Sequence, residues 1–155
     1  MKNLKTLMLG LLLVVSLAAC KKEEDEMVTE GSMSAKIDSK DWTAGLAVVA
    51  TKSSGVLSIA GTGNGGQVNL NLLSYSTPGT FQLGGTATNP NHAIYTSTTL
   101  PPVAFSNMVG QGSGTLVITS EAGGFVEGTF SFTAKNPGGG TTVTVTDGKF
   151  RAKIK

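Results

Sequence analysis

The sequence predicts an all-β domain, an antiparallel β-sandwich or flattened β-barrel of roughly nine to ten short strands with meander connections. Apolar and polar residues alternate with period two in short runs from Gly31 onward, and no helical period competes with them. The 21 glycines fall mostly between these runs, where turns belong. Short, evenly spaced strands with glycine turns indicate a sandwich or barrel rather than alternating strand–helix units.

Each element can be justified in order. Met33, Ala35 and Ile37 share one face of an opening strand, with Ser34, Lys36 and Asp38 on the other. Asp38-Ser39-Lys40-Asp41 reads as a turn into a second strand carrying Trp42 and Ala44. Further on, Gly61 to Gly66 forms a glycine-rich turn with Asn64-Gly65 at its tip, followed by a strand of Val68, Leu70 and Leu72. Thr86 to Gly110 is the least regular region, and Pro101-Pro102 interrupts any central strand there.

Towards the C-terminus, Gly114–Ser120 and Phe125–Ala134 form a hairpin through Glu121-Ala122-Gly123-Gly124. An odd loop length or a bulge is needed to place Ile118 on the same face as Val126. Finally, Asp147-Gly148 predicts a tight hairpin turn, because both positions suit positive φ. Folding there would set Val145 against Phe150 and Val143 against Ala152.

The N-terminus is a separate unit. Lys2 and Lys5 precede thirteen uncharged residues, Leu7 to Ala19, and small residues then lead to Cys20. That is the layout of a secretory signal peptide. It is shorter than the roughly 20 residues of a transmembrane helix. The expected organisation is a cleaved signal over residues 1–19, a modified cysteine and acidic tether over 20–31, and one all-β domain over 32–155. Without the leader's two lysines the chain carries ten basic and ten acidic residues, so no nucleic-acid partner is inferred. A single cysteine forms no disulfide within the chain.

Leu17-Ala18-Ala19-Cys20 resembles a bacterial lipobox. The resemblance implies a diacylglycerol thioether on Cys20, cleavage before it, and a fatty acyl group such as palmitate on the new amino terminus. Several chains are needed because one myristoyl-length chain binds a membrane only marginally, at about 0.8 kcal/mol per buried CH₂. Lys21 stands where inner-membrane lipoproteins commonly carry aspartate. Cys20-Lys21-Lys22-Glu23-Glu24 resembles the surface-export signal of Bacteroidota lipoproteins. Together these imply outer-membrane anchoring with the domain facing the cell exterior, and the periplasmic leaflet is the alternative. The run from Lys21 to Glu26 also serves as a solvated tether.

The body resembles small Bacteroidota lipoproteins grouped as a domain of unknown function. The resemblance rests on GSMSAKIDSKDWTA at one end and GTFSFTA with VTVTDGKFRAKI at the other. Ser39 and Asp147 stand where that pattern has glycine and asparagine. The resemblance implies fold and location and brings no activity.

Motifs that look catalytic have plainer explanations. Gly61-Thr62-Gly63-Asn64-Gly65-Gly66 matches a dinucleotide fingerprint in letters, but a strand follows it where a helix is required. His92 is the only histidine, too few ligands for a zinc site, and no nucleophile elbow is present. Asp38, Asp41, Glu121 and Asp147 sit in or beside expected turns, and Glu127 faces solvent, which disfavours a paired-carboxylate hydrolase. Trp42 reads as a core anchor. Tyr95 and His92, in the irregular region, are the candidate ligand-binding residues.

The expected function is therefore a non-enzymatic, envelope-associated binding module whose ligand the sequence does not name, a glycan, a protein or another envelope component, without cofactor or metal. The alternative is a lipocalin-like carrier of a small apolar ligand inside a barrel.

Overall fold

A computed structural model of the protein describes residues 31–46 and 48–155. The expected leader, Cys20 and the charged run after it lie outside the described residues. The described residues form eleven strands and no helix. The first five are β1 (Ser32–Ile37), β2 (Lys40–Thr43), β3 (Val49–Ser53), β4 (Val56–Gly63) and β5 (Gly66–Leu72). The middle of the chain supplies β6 (Gly79–Gly84), β7 (His92–Ser97) and β8 (Ala104–Ser106). The last three are β9 (Ser113–Ala122), β10 (Phe125–Lys135) and β11 (Thr142–Ile154).

All belong to one mixed, mostly antiparallel sheet in the order β2-β1-β11-β3-β4-β5-β7-β8-β10-β9-β6, with β10 also pairing β11. Two broad arms result. One runs β6-β9-β10-β11-β1-β2, and the other β3-β4-β5-β7-β8. They are joined by narrow seams: the parallel pairs Lys153↔Val49 and Ile154↔Ala50, and the single pair Lys135↔Ser106. One contiguous apolar cluster, including Met33, Trp42, Leu70, Leu116, Phe130 and Val145, lies between the arms. This is the all-β sandwich or flattened barrel expected from the alternation.

The inward residues are those the alternation identifies. Met33, Ala35 and Ile37 are buried on β1, and Val68, Leu70 and Leu72 on β5. The opening turn is tighter than expected. Asp38 and Ser39 alone form it, with φ of 48° and 67°, so a two-residue hairpin pairs Ala35 with Trp42. The β9–β10 hairpin turns on Gly123 and Gly124, and its register shifts at Glu127/Gly128, where Thr119 is the extra residue. That bulge puts Ile118 and Val126 on the same buried face, as the parity argument requires.

The Asp147-Gly148 hairpin does not form. β11 is a single strand of 13 residues, paired with β10 along one side and β1 along the other. Asp147 does take positive φ, at 54°, but within a bulge. Phe130 pairs with Gly148 and Phe132 with Val145, so Thr146 and Asp147 together oppose Ser131. The extra residue restores the parity that a turn would have restored, and Val143, Val145, Phe150 and Ala152 all remain buried. The pattern across Asp147 was consistent with either device, and pairing to β1 and β10 selects the bulge.

The region from Thr86 to Gly110 is also more ordered than expected. It contains β7, which lies between β5 and β8, and the three-residue β8. Pro101 and Pro102 fall in the connection between them, so no ladder bond is lost. The described residues thus hold eleven strands where roughly nine or ten were expected.

Candidate functional site

The site containing a candidate ligand residue is a cleft of about 320 Å³ where the β1–β2 turn meets β7, β8 and their connection. Its apolar floor is supplied by Tyr95 and Phe105, with Ile37, Val103 and Val143 beside them. Asp38, Lys40, Ser97 and Thr99 form the polar part of its lining.

Pairing of β7 with β8 explains the floor. Tyr95 and Phe105 are cross-strand partners, and their rings stack with centroids 6.0 Å apart at 30°. The Tyr95 hydroxyl donates to the Gly65 carbonyl at 2.7 Å, which fixes the ring against the β4–β5 turn. Gly66 makes this approach possible, since a Cβ there would lie 2.5 Å from the Tyr95 ring. Burial pushes the Tyr95 hydroxyl above its ordinary pKa, and the Asp38 carboxylate adds to the effect.

The polar side is equally constrained. Asp38 occupies a positive-φ turn position, and its Oδ1 accepts from the Thr144 amide at 2.9 Å. Ser97 and Thr99 hydroxyls lie 2.8 Å apart, and Ser97 Oγ also accepts from the Val103 amide at 3.1 Å. A stacked aromatic floor with hydroxyl, carboxylate and ammonium groups near it can hold a ligand that has one apolar face and polar edges.

The second candidate, His92, is elsewhere. It starts β7 opposite Asn71, whereas Tyr95 pairs with Val68. Three residues apart on a strand, the two point to opposite faces. His92 Nδ1 lies 3.0 Å from the Pro90 carbonyl, a local contact within its own loop. The structure therefore places Tyr95 in the cleft and leaves His92 out of it. Cys20 lies outside the described residues. Trp42 is a core residue, 5% exposed, as expected. Asn64-Gly65 tips the β4–β5 hairpin, so the glycine-rich run is a turn here.

Among the described residues, no group of three or more His, Cys, Asp or Glu side chains is placed to hold an ion. Glu127 accepts from Arg151 Nε at 3.0 Å, and Asp147 lies 3.5 Å from the Lys36 ammonium. Glu121 accepts from Lys52 at 2.6 Å and from the Tyr75 hydroxyl at 2.7 Å.

Phe105, Asp38, Lys40, Ser97 and Thr99 were not recognised from sequence as site residues. The β7–β8 hairpin that brings Phe105 to Tyr95 is concealed by the proline-containing connection. The usable signal was the alternation of Ala93, Tyr95 and Ser97 against Ile94 and Thr96.

A family model described as a domain of unknown function (DUF6252) matches residues 29–152. No curated protein and no solved structure matches the chain.

Proposed function

The chain belongs to the DUF6252 family of domains of unknown function, and on that premise we propose that it is a lipid-anchored surface module of the outer membrane that binds a ligand in the Tyr95 cleft and catalyses no reaction. The observation that carries the binding role is the stacked Tyr95–Phe105 floor beside Asp38, Lys40, Ser97 and Thr99. A sugar ring presents what this lining asks for, an apolar face and a hydroxyl edge, so the ligand is a glycan of the envelope, with an envelope protein as the alternative. The interior between the arms is occupied by the apolar cluster, which favours this cleft over an enclosed carrier cavity.

The address is supported by Leu17-Ala18-Ala19-Cys20 and by the lysines and acids that follow. Acyl chains on Cys20 hold the domain at the membrane through the charged tether. Mass spectrometry of the native protein shows an acylated N-terminal cysteine in this reading. An unmodified thiol or a retained Met1 defeats it. Proteinase added to intact cells degrades a surface-exposed domain, and complete protection would move it to the periplasmic side.

For the ligand, the full chain is titrated with a panel of neutral and acidic oligosaccharides and followed by NMR. Resonances of Ser97 and Thr99 shift on binding. Phe105→Ala and Lys40→Ala abolish the shifts while amide dispersion is retained. Shifts at Thr99 that survive both substitutions would overturn the assignment of the cleft.

A further inference from the structure

The outer face of the β6-β9-β10-β11-β1-β2 arm carries an ordered double row of side chains that the cleft does not use. Register places Thr80 beside Val117, Val117 beside Thr129, Thr129 beside Lys149, Lys149 beside Ser34 and Ser34 beside Thr43. The next row begins with Gln82, Thr115 and Ser131, meets the bulge at Thr146, and continues through Lys36 to Asp41. Both rows cross six strands, about 24 Å at the usual spacing between neighbouring strands.

Between the rows the surface is hollowed. A trough of about 480 Å³ is lined by Thr115, Val117, Thr129, Ser131, Thr146 and Lys149 among others, with Asp147 at its edge. A further hollow of about 200 Å³ continues over Ser34, Lys36, Asp41 and Thr43 and shares Asp147 with the first. The bulge in β11 shapes both, because the extra residue lifts Asp147 out of the regular pleat. The β1–β2 turn marks the boundary with the Tyr95 cleft, whose lining takes Asp38 and Lys40 instead.

The lining selects its ligand by exclusion and by charge. Val117 is the only aliphatic side chain in the larger trough, and its one aromatic, Phe130, is buried. Apolar peptide side chains therefore find no pocket, and a neutral sugar finds no exposed ring to stack on. Serine and threonine hydroxyls donate and accept, which matches a chain of hydroxyl groups. Asp41 and Lys36 belong to the smaller hollow; in the larger trough Asp147 lies 3.5 Å from the Lys36 ammonium, whereas Lys149 has no ion-pair partner among the described residues. We propose that this face binds a linear acidic polysaccharide, with the sugar hydroxyls on the threonine and serine rows and a carboxylate on Lys149. This goes beyond the cleft reading and does not depend on it.

The test uses the full chain in detergent micelles, with polygalacturonate as the acidic polymer, dextran as the neutral one and polyglutamate as the acidic peptide. Affinity electrophoresis shows retardation by polygalacturonate and little by the other two. Lys149→Gln weakens that affinity by about tenfold, the effect of losing one charge-assisted contact. Thr129→Val, which keeps shape and strand propensity, weakens it as well, while Lys155→Gln and Phe105→Ala do not. Equal losses for Lys149→Gln and Lys155→Gln would reduce the effect to general charge and overturn the site. Equal binding of dextran or polyglutamate would overturn the ligand class, and no retardation by polygalacturonate would overturn both. Loss of oligosaccharide binding in Phe105→Ala, with polygalacturonate binding intact, separates this face from the cleft.

Discussion

The Tyr75 hydroxyl donates to Glu121 Oε2 at 2.7 Å, tying the loop after β5 to the end of β9 across 46 residues of sequence. Lys52 completes the arrangement from β3: its ammonium contacts Glu121 Oε1 at 2.6 Å and lies 5.2 Å from the centre of the Tyr75 ring. Burial, reinforced by the Glu121 hydrogen bond and charge, pushes the Tyr75 hydroxyl from its ordinary 10.0 up to about 12. The bonds from Lys52 and then Tyr75 hold the Glu121 carboxyl below its ordinary range.

The sign of the alkaline effect follows from linkage. The folded state holds the Tyr75 proton more tightly than the unfolded state. The resulting stability is complete below pH 10 and is lost as pH rises towards 12. Urea denaturation of wild type and Tyr75→Phe should therefore differ by about 1 kcal/mol at neutral pH, the usual worth of one such bond. The two curves should converge between these limits. Glu121 acts in the opposite direction: its contribution is present above its ordinary 4.5 and fades as pH falls below that. A gap between wild type and Tyr75→Phe that is unchanged at high pH would show that the hydroxyl's proton is not what stabilises the fold.

The bulge in β11 makes a prediction that a hairpin would not. Deleting Asp147 removes the residue that lets Val145 and Phe150 both face inward. One half of the strand must then turn its apolar side chains to water, and the domain should lose its cooperative unfolding transition. By contrast, Asp147→Gly suits the positive φ and should change stability by less than about 1 kcal/mol. Gly148→Ala should cost about 1–3 kcal/mol, because its Cβ would meet the Phe130 carbonyl at 2.5 Å and ring at 2.6 Å. Thermal denaturation of the three variants distinguishes the two geometries.

That strand also shows what could be read from sequence. Alternation identified the inward residues on both sides of Asp147, and the positive φ at Asp147 followed from residue type. What alternation cannot carry is whether a parity break turns the chain round or only shifts it, since that depends on partner strands distant in sequence. Ser32 of β1 pairs with Arg151 of β11, a contact that no local pattern encodes. The cleft was half legible for the same reason. Tyr95 was a candidate because it lay in an irregular region rich in polar residues and proline. Asp38 and Lys40 come from the other end of the domain, and only the folded sheet brings them to Tyr95. His92 shared Tyr95's local context, but strand geometry separates the two.

Gly66 and Tyr95 should be coupled. A methyl group at residue 66 would lie 2.4 Å from the Thr96 carbonyl and 2.5 Å from the Tyr95 ring. Gly66→Ala should destabilise the domain by about 1–3 kcal/mol as the ring and strand give way. It should also weaken oligosaccharide binding in the cleft. Replacing the ring as well, in Gly66→Ala/Tyr95→Leu, should recover part of the stability and none of the binding. Additive losses in that double mutant, measured by chemical denaturation, would mean the two positions are not in conflict.

The free edge of β6 is the last place where one side chain decides the outcome. β6 ends the order of strands and pairs only with β9, so its second side presents backbone groups that another chain could bind. The loop leading to β7 covers that side. Asn89 Nδ2 donates to the Gln82 carbonyl at 3.0 Å and to the Gly84 carbonyl at 2.9 Å, while the Gly84 amide donates to the Asn91 carbonyl at 2.7 Å. Asn89→Ala removes these two bonds and the one that Oδ1 accepts from the Asn91 amide at 3.2 Å, which should cost about 1–3 kcal/mol. It should also expose the edge. Static light scattering should then show concentration-dependent association of Asn89→Ala at temperatures where the wild type remains dispersed. Asn89→Asp, which keeps size and the acceptor for the Asn91 amide but cannot donate to either carbonyl, should lose part of the same stability in urea and associate less, because its charge repels a second edge. If Asn89→Ala loses stability without associating, the side chain holds the loop in place but does not guard the strand.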